Sequence, residues 1–148
     1  MPPLLHDPAM RDEIRARVQK LRPDTPRKWG KMSVDQMLHH LNVALENALD
    51  EVRPARMRIP LPRSVFKWVV FNLPWPKGSP TAPEFIAGER YDFAAEHARC
   101  LELLDRISAK DMESSGWGRS PGFGQLNGRD WSRLSAKHVL HHLNQFGV

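Results

Sequence analysis

The chain has a single cysteine, Cys100, among its 148 residues, so no intrachain disulfide can form and a reducing compartment is expected. Cys100 falls inside a helical pattern, Ala98-Arg99-Cys100-Leu101-Glu102-Leu103-Leu104, which predicts a small core or flank residue rather than a nucleophile. Long apolar runs are also missing. The longest patch, Val65-Phe66-Lys67-Trp68-Val69-Val70-Phe71, carries a lysine and falls far short of the ~18 residues that a membrane span needs. The opening Met1-Pro2-Pro3-Leu4-Leu5-His6-Asp7 has no basic region ahead of an apolar stretch, so it does not read as a secretory signal. A cytoplasmic protein with no membrane partner is the expectation. Internal repeats, heptads and strong strand alternation are absent too. Lysine and arginine total 22 against 17 acidic residues, a formal charge of +5, with a mild concentration at Arg53, Arg56, Arg58, Arg63 and Lys67. Without a denser patch interleaved with aromatics, no nucleic-acid partner is expected. The surface reads as solvated and basic, able to attract an anionic substrate.

What is present fits one globular domain over residues 1–148. A chain of this size buries roughly 70% of the surface it exposes when unfolded, enough for a core without staples. Four segments carry the 3.6-residue period. The first, residues 8–21, repeats Met10, Ile14, Val18 and Leu21, with Asp7 as N-cap and Pro8 at the first helical position. The second, residues 34–50, has Ser33 and Gln36 placed as a capping box and a wide apolar face of Val34, Met37, Leu38, Leu41, Ala44, Leu45 and Ala48. The third spans 92–110 through Phe93, His97, Leu101, Leu104 and Ile107. The fourth runs from about 129 almost to 148, punctuated by Asn127 or Gly128 ahead and by Gly147 at its end. Between the second and third, residues 51–83 hold seven of the thirteen prolines, Pro54, Pro60, Pro62, Pro74, Pro76, Pro80 and Pro83. Regular helix cannot persist through that spacing. A short helix over 64–71 inside a long crossover is predicted, with Trp68, Phe71 and Trp75 anchoring it to the bundle or to a second subunit. Short strands near 57–61 or 121–125 are compatible with the pattern. The fold class is therefore all-α, a four-helix bundle with a long Pro-rich crossover between the second and third main helices, and bundle cores are a natural place for metal sites.

Seven histidines in 148 residues need a positional account. His138 and His142, four apart on the last helix, sit one above the other and project into the arc of Trp131, Leu134, Val139 and Phe146. His141 is rotated about 60° away, toward the rim of that arc. Inward imidazoles need partners, because burying an unpaired polar group costs a few kcal/mol. One solution is a hydrogen bond from each ring to a carboxylate, hydroxyl or water. The other is a metal ion, for which each neutral imidazole supplies a ring nitrogen; i, i+4 spacing lets two rings reach one ion. On the second helix His40 flanks the apolar arc beside Met37 and Ala44, and His39 turns further toward solvent. Three histidines from two helices leave a fourth position open, the ligand count of a catalytic zinc-type site.

The run Trp29-Gly30-Lys31-Met32-Ser33, followed by Met37-Leu38-His39-His40-Leu41, is similar to the opening motif of the DinB/YfiT-like superfamily of metalloenzymes. His138-Val139-Leu140-His141-His142-Leu143-Asn144-Gln145 is similar to that superfamily's closing His-x-x-His-His-x-x-Gln. Pro121-Gly122-Phe123-Gly124-Gln125-Leu126 ahead of Trp131, with the ending His141–Gly147, resembles a branch of unknown function. Leu143-Asn144 stands where many members carry Arg-Gly, so no role is taken over from that arginine. The resemblance implies a bundle of four main helices, often dimeric, with metal ligands at His40, His138 and His142. It also implies a kinship with thiol transferases that use low-molecular-weight thiols, alongside members without an established activity.

Two functions are compatible with these residues. The first is a metal-dependent enzyme, a hydrolase or a thiol S-transferase, using zinc, nickel or iron(II) and acting on a small-molecule substrate or low-molecular-weight thiol. Gln145 is the candidate for orienting a ligand ring, and His141 and His39 are further candidates for hydrogen bonding around the ligands. Asp35, Glu46, Glu96 and Glu102 are the candidate bases, although no spacing singles one out and each reads more simply as a surface residue. The second is a non-catalytic binding or assembly module with a structural or vestigial metal.

Overall fold

The computed structural model describes residues 2–77 and 88–148. Pro80 and Pro83 of the predicted crossover lie outside the described residues. Helix α1 covers Pro8–Gln19. Asp7 accepts a hydrogen bond from the Ala9 N–H at 3.2 Å, and Pro8, which has no N–H to leave orphaned, opens the first turn. The helix stops two residues before the predicted end, and Leu21 is buried from the following turn. Helix α2 covers Val34–Ala48. Its capping box forms, with the Ser33 N–H donating to Gln36 Oε1 at 3.0 Å. It ends two residues short of the predicted limit because Asp50 turns to φ 62°.

Helix α3 covers Arg63–Asn72, close to the predicted 64–71, and Pro62 immediately precedes it. Helix α4 covers Phe93–Ala109, capped by Asp92 Oδ2 accepting from the Ala95 N–H at 2.9 Å. Helix α5 covers Gly128–Gln145, with Asn127 as N-cap and Gly147 at φ +72° just beyond its end. Between α4 and α5 a two-strand hairpin forms, β1 (Arg119–Ser120) antiparallel to β2 (Gly124–Gln125), with Arg119 opposite Gln125. This is the predicted 121–125 region. The alternative strand at 57–61 does not form: Pro60 carries no N–H for a ladder, and the segment instead donates one bond, Met57 N–H to Pro121 O at 2.8 Å.

The four long helices pack as a bundle, α2 against α4 and α5, and α1 against α4 and α5. Ile14 and Val18 of α1, Leu38, Leu41 and Leu45 of α2, Leu103, Leu104 and Ile107 of α4, and Val139 and Leu143 of α5 share one core. Each such side chain contributes about 1.5–3 kcal/mol by leaving water. Cys100 lies wholly inside it, and burial pushes its thiol pKa up to about 12, with the nearby Glu96 carboxylate adding to the rise. At neutral pH it carries no thiolate, in keeping with the packing role read from the sequence.

Helix α3 lies along α5 and runs in the same direction. Lys67 pairs with Asp130 at 2.8 Å, Arg133 donates to Phe71 O at 2.7 Å, and Lys137 Nζ donates to Val70 O and Leu73 O at 2.6 Å. Cations of α5 thus satisfy the carbonyls that α3 leaves open at its C-terminal end. Phe66 and Phe71 clamp Phe123 of the hairpin, with ring centroids 5.2 and 5.4 Å apart. Of the three predicted anchors, Phe71 is buried and Trp75 is held by its indole N–H on Val70 O at 2.7 Å. Trp68, 58% exposed, does not anchor α3 to the bundle. No helix among the described residues is long and apolar enough to cross a membrane.

Candidate metal centre

Helices α2 and α5 cross where His40 faces His138 and His142. His40 and His142 are buried and His138 is half-buried. Their three rings stand at the corners of a nearly equilateral triangle, with centroid separations of 4.8, 4.8 and 4.9 Å and planes steeply inclined to one another. The α5 pair is brought together by one helical turn. The third ring comes from a position 98 residues away in sequence, fixed by the apolar face of α2 against α5. His40 Nε2 and His138 Nε2 approach to 2.9 Å, and one ring nitrogen from each of the three lies within 4.8 Å of the others. Nitrogens bound about 2.1 Å from a common ion stand roughly 3–3.4 Å apart, so small ring rotations suffice to meet one.

The electrostatics agree with that donor set. Burial drives the His142 pKa down to about 3, and the neighbouring His40 adds to the fall. Burial also drives His138 well below its usual value, with His40, His142 and His141 reinforcing it. At neutral pH these rings are neutral, the form in which an imidazole ligates a metal. Only one proton can sit between the two facing Nε2 atoms, whereas a cation would engage both lone pairs. Among the described residues, no carboxylate joins this cluster. The residues present therefore fit a divalent transition ion with nitrogen preference, and not a hard cation that needs oxygen ligands.

Gln145 lies where the sequence places it. Its Oε1 accepts from His142 Nδ1–H at 2.7 Å, which leaves His142 Nε2 as the unprotonated nitrogen. Its own amide donates to Trp29 O at 3.0 Å, while Lys28 N–H donates to the Gln145 carbonyl at 2.7 Å. The turn that delivers this contact needs Gly30. It sits at φ +83°, and a Cβ there would stand 2.6 Å from Gln145 Nε2.

His141 does not face the other two α5 partners' common point. Its ring is packed between Trp29, at 5.9 Å, and Trp75, at 5.5 Å, with His142 at 5.1 Å. Burial and then Lys137 lower its pKa. Trp75 also touches His138, at 5.7 Å between centroids. The two tryptophans thus wall the outer side of the cluster, with Lys77 Nζ 4.8 Å over Trp29 and Lys137 Nζ 5.2 Å over Trp75. Trp75 had no sequence signal beyond being an aromatic in the crossover.

His39 is a correction. Rather than supporting a ligand, it turns to α4, where Nδ1 meets Glu96 Oε1 at 3.1 Å and the ring stacks on Tyr91 at 3.8 Å. The surface reading of the carboxylates also needs correcting, because three of the four are at least partly enclosed. Asp35 is buried; burial alone would raise its pKa, yet the Arg90 guanidinium, the Ser33 hydroxyl and the Tyr91 N–H hold it well below the usual carboxylate range. Glu96 serves His39 and Asn42, and Glu46 lies beside Arg99 with its pKa raised by burial. Only Glu102, paired with Arg99, is largely exposed. The remaining histidines have separate structural work: His6 bridges Ser132 Oγ (2.8 Å) and Lys110 O (2.7 Å), and His97 Nε2 donates to Val18 O (2.8 Å).

No curated protein and no solved structure matches the chain. A family model described as the DinB superfamily matches residues 8–146, covering every helix and both ends of the histidine cluster, and the chain belongs to that superfamily.

Proposed function

We propose that the protein binds one divalent transition ion, zinc, nickel or iron(II), through His40, His138 and His142, and uses it as a metal-dependent enzyme on a small-molecule substrate or low-molecular-weight thiol. The observation that carries this reading is the triangle of three enclosed imidazoles, edge-on to one another, in which burial holds His138 and His142 neutral. Three protein ligands leave room for a further one, as catalytic sites do and structural sites rarely do. A bound ion would supply Lewis acidity, lowering the proton affinity of a water or thiol at its open position.

The chain's own groups do the rest. Gln145 holds the proton of His142 on Nδ1, so Nε2 stays a lone-pair donor. Trp29 and Trp75 restrict water on the outer side. Neutral His141 between them can accept the proton that a thiol gives up. With no carboxylate in the cluster among the described residues, thiol transfer is favoured over hydrolysis, because a thiolate is itself the nucleophile and needs no protein base to activate water. The same lack of a carboxylate favours, as a second reading, a non-catalytic module with a structural or vestigial metal. We further propose a homodimer in which the exposed row Leu61, Val65, Trp68 and Leu73 packs against a second copy.

The test begins with elemental analysis of the purified protein. Wild type should carry close to one equivalent of metal, and His138→Ala and His142→Ala should lose it; equal trace content in all three ends the metal reading. Metal-loaded protein is then assayed with low-molecular-weight thiols plus an activated haloaromatic, and with generic esters. Turnover that falls in His141→Ala at unchanged metal content supports the enzyme, and inactivity toward all of them supports the binding module.

A further inference from the structure

A second concentration of chemistry lies away from the histidines, at the opposite end of α3. Helix α3 is ten residues long, about 15 Å, and Trp75 near its C-terminal end touches the histidine cluster while Arg63 begins its first turn. There the crossover passes over the β1–β2 hairpin and leaves a groove of about 530 Å³ lined by Arg56, Arg58, Arg63 and the apolar Met57, Ile59 and Leu61. An adjoining concavity shares Arg56 and Arg63 and is lined also by Arg119, Ser120 and the paired Asp50 and Arg53. Gly124, at φ +77°, lets the Arg63 guanidinium close in: a Cβ placed there would stand 2.7 Å from Arg63 Nη1, with Arg119 Nη2 nearby at 3.9 Å.

Arginines this close repel, and native surfaces usually intersperse carboxylates. Arg53 has one, Asp50 at 3.1 Å. Among the described residues, Arg56, Arg63 and Arg119 have none within ion-pair distance, although they shape one concavity. Burial, and the charges of Arg56 and Arg119, pull the Arg63 pKa below its usual value, as expected of a cation crowded by like charge. The first turn of α3, with its outward N–H groups, adds positive potential at the same place. Planar guanidinium forks converging on a partly apolar groove are suited to an oxyanion carried on a body that is not wholly polar.

We propose that this groove is a binding site for a phosphoryl-bearing ligand, held by Arg56, Arg63 and Arg119, with its less polar part against Met57 and Ile59. The site is separate from the histidine cluster and does not depend on the metal reading.

The test is calorimetric titration of the purified full-length chain with pyrophosphate and with inorganic phosphate. Arg63→Gln and Arg119→Gln are compared with Lys20→Gln, an equal charge loss on an exposed residue elsewhere. The expected result is saturable binding that weakens as salt is raised, falls about tenfold in each groove variant, falls less in Arg63→Lys, and is unchanged in Lys20→Gln and His142→Ala. Arg119 is exposed on a strand, so its variant reports on the site even if Arg63→Gln disturbs the fold. A second arm separates two sources of the same chemistry. Capture by phosphatidylglycerol vesicles but not phosphatidylcholine vesicles, lost in Arg119→Gln, would assign a lipid headgroup. Pyrophosphate binding without vesicle capture would assign a soluble phosphorylated compound. Absence of binding in both arms, equal binding in the groove variants and wild type, or loss in His142→Ala instead, would overturn the proposal.

Discussion

At the scale of single residues, the site depends on how protons are placed on imidazoles. Gln145 Oε1 accepting from His142 Nδ1–H assigns the tautomer of that ring, and such partners typically contribute 10–100-fold to metal affinity. Gln145→Ala should therefore weaken metal binding by about that factor while leaving the metal-free fold intact, as read by competition with a chromophoric chelator. An unchanged affinity would mean the contact is incidental. The depressed histidine pKa values make a second prediction. A histidine that titrates normally when unfolded but is hard to protonate when folded takes up its proton preferentially in the unfolded state. Chelator-treated protein should be fully stable above the unfolded value of about 6.5 and lose stability as pH falls below it, through the range down to the folded value of about 3 for His142. The slope approaches about 1.4 kcal/mol per pH unit for each such residue. Urea midpoints that stay flat between pH 7 and 5 would contradict the burial of neutral rings.

At the scale of elements, what could be read in the sequence was local. The i, i+4 pair on α5, the Asp7-Pro8 start of α1, the Ser33/Gln36 box of α2 and the proline spacing of the crossover each act within a turn or two of helix. Period and cap chemistry were therefore enough to place them. His40 could be placed beside an apolar arc, but not opposite His138, because that depends on how α2 packs on α5. His39 shows the limit most clearly: its neighbour on the helix joins the site, whereas it finds Glu96 and Tyr91, 57 and 52 positions further along the chain. The burial of Asp35 was hidden for the same reason, since Arg90 and the Tyr91 N–H arrive from the start of another helix. Packing between elements gives its own expectation. Leu38 is fully buried in the core, and Leu38→Ala should cost about 2–5 kcal/mol, measurable by denaturant unfolding. A loss below about 1 kcal/mol would mean that α2 is not seated as described. At the turn before α2, Gly30→Ala should reduce metal affinity and also cost about 1–2 kcal/mol of stability, because its Cβ displaces Gln145 and is strained at positive φ.

At the scale of the whole molecule, the bundle brings two distant segments into one triangle and leaves α3 as an outlying element. One face of α3 is tied to α5 and the hairpin, while Leu61, Val65, Trp68 and Leu73 face outward. In the proposed homodimer that row is covered, so light scattering should give twice the chain mass for wild type and the monomer mass for Trp68→Asp; a wild-type monomer would remove the dimer. The account as a whole stands on the three imidazoles sharing an ion. An anomalous-difference map from crystals grown with the bound metal, collected on either side of its absorption edge, is the most direct measurement of that. The account predicts one strong peak about 2.1 Å from His40 Nε2, His138 Nε2 and His142 Nε2. A map with no peak inside the triangle, or with its peak on other side chains, would contradict it.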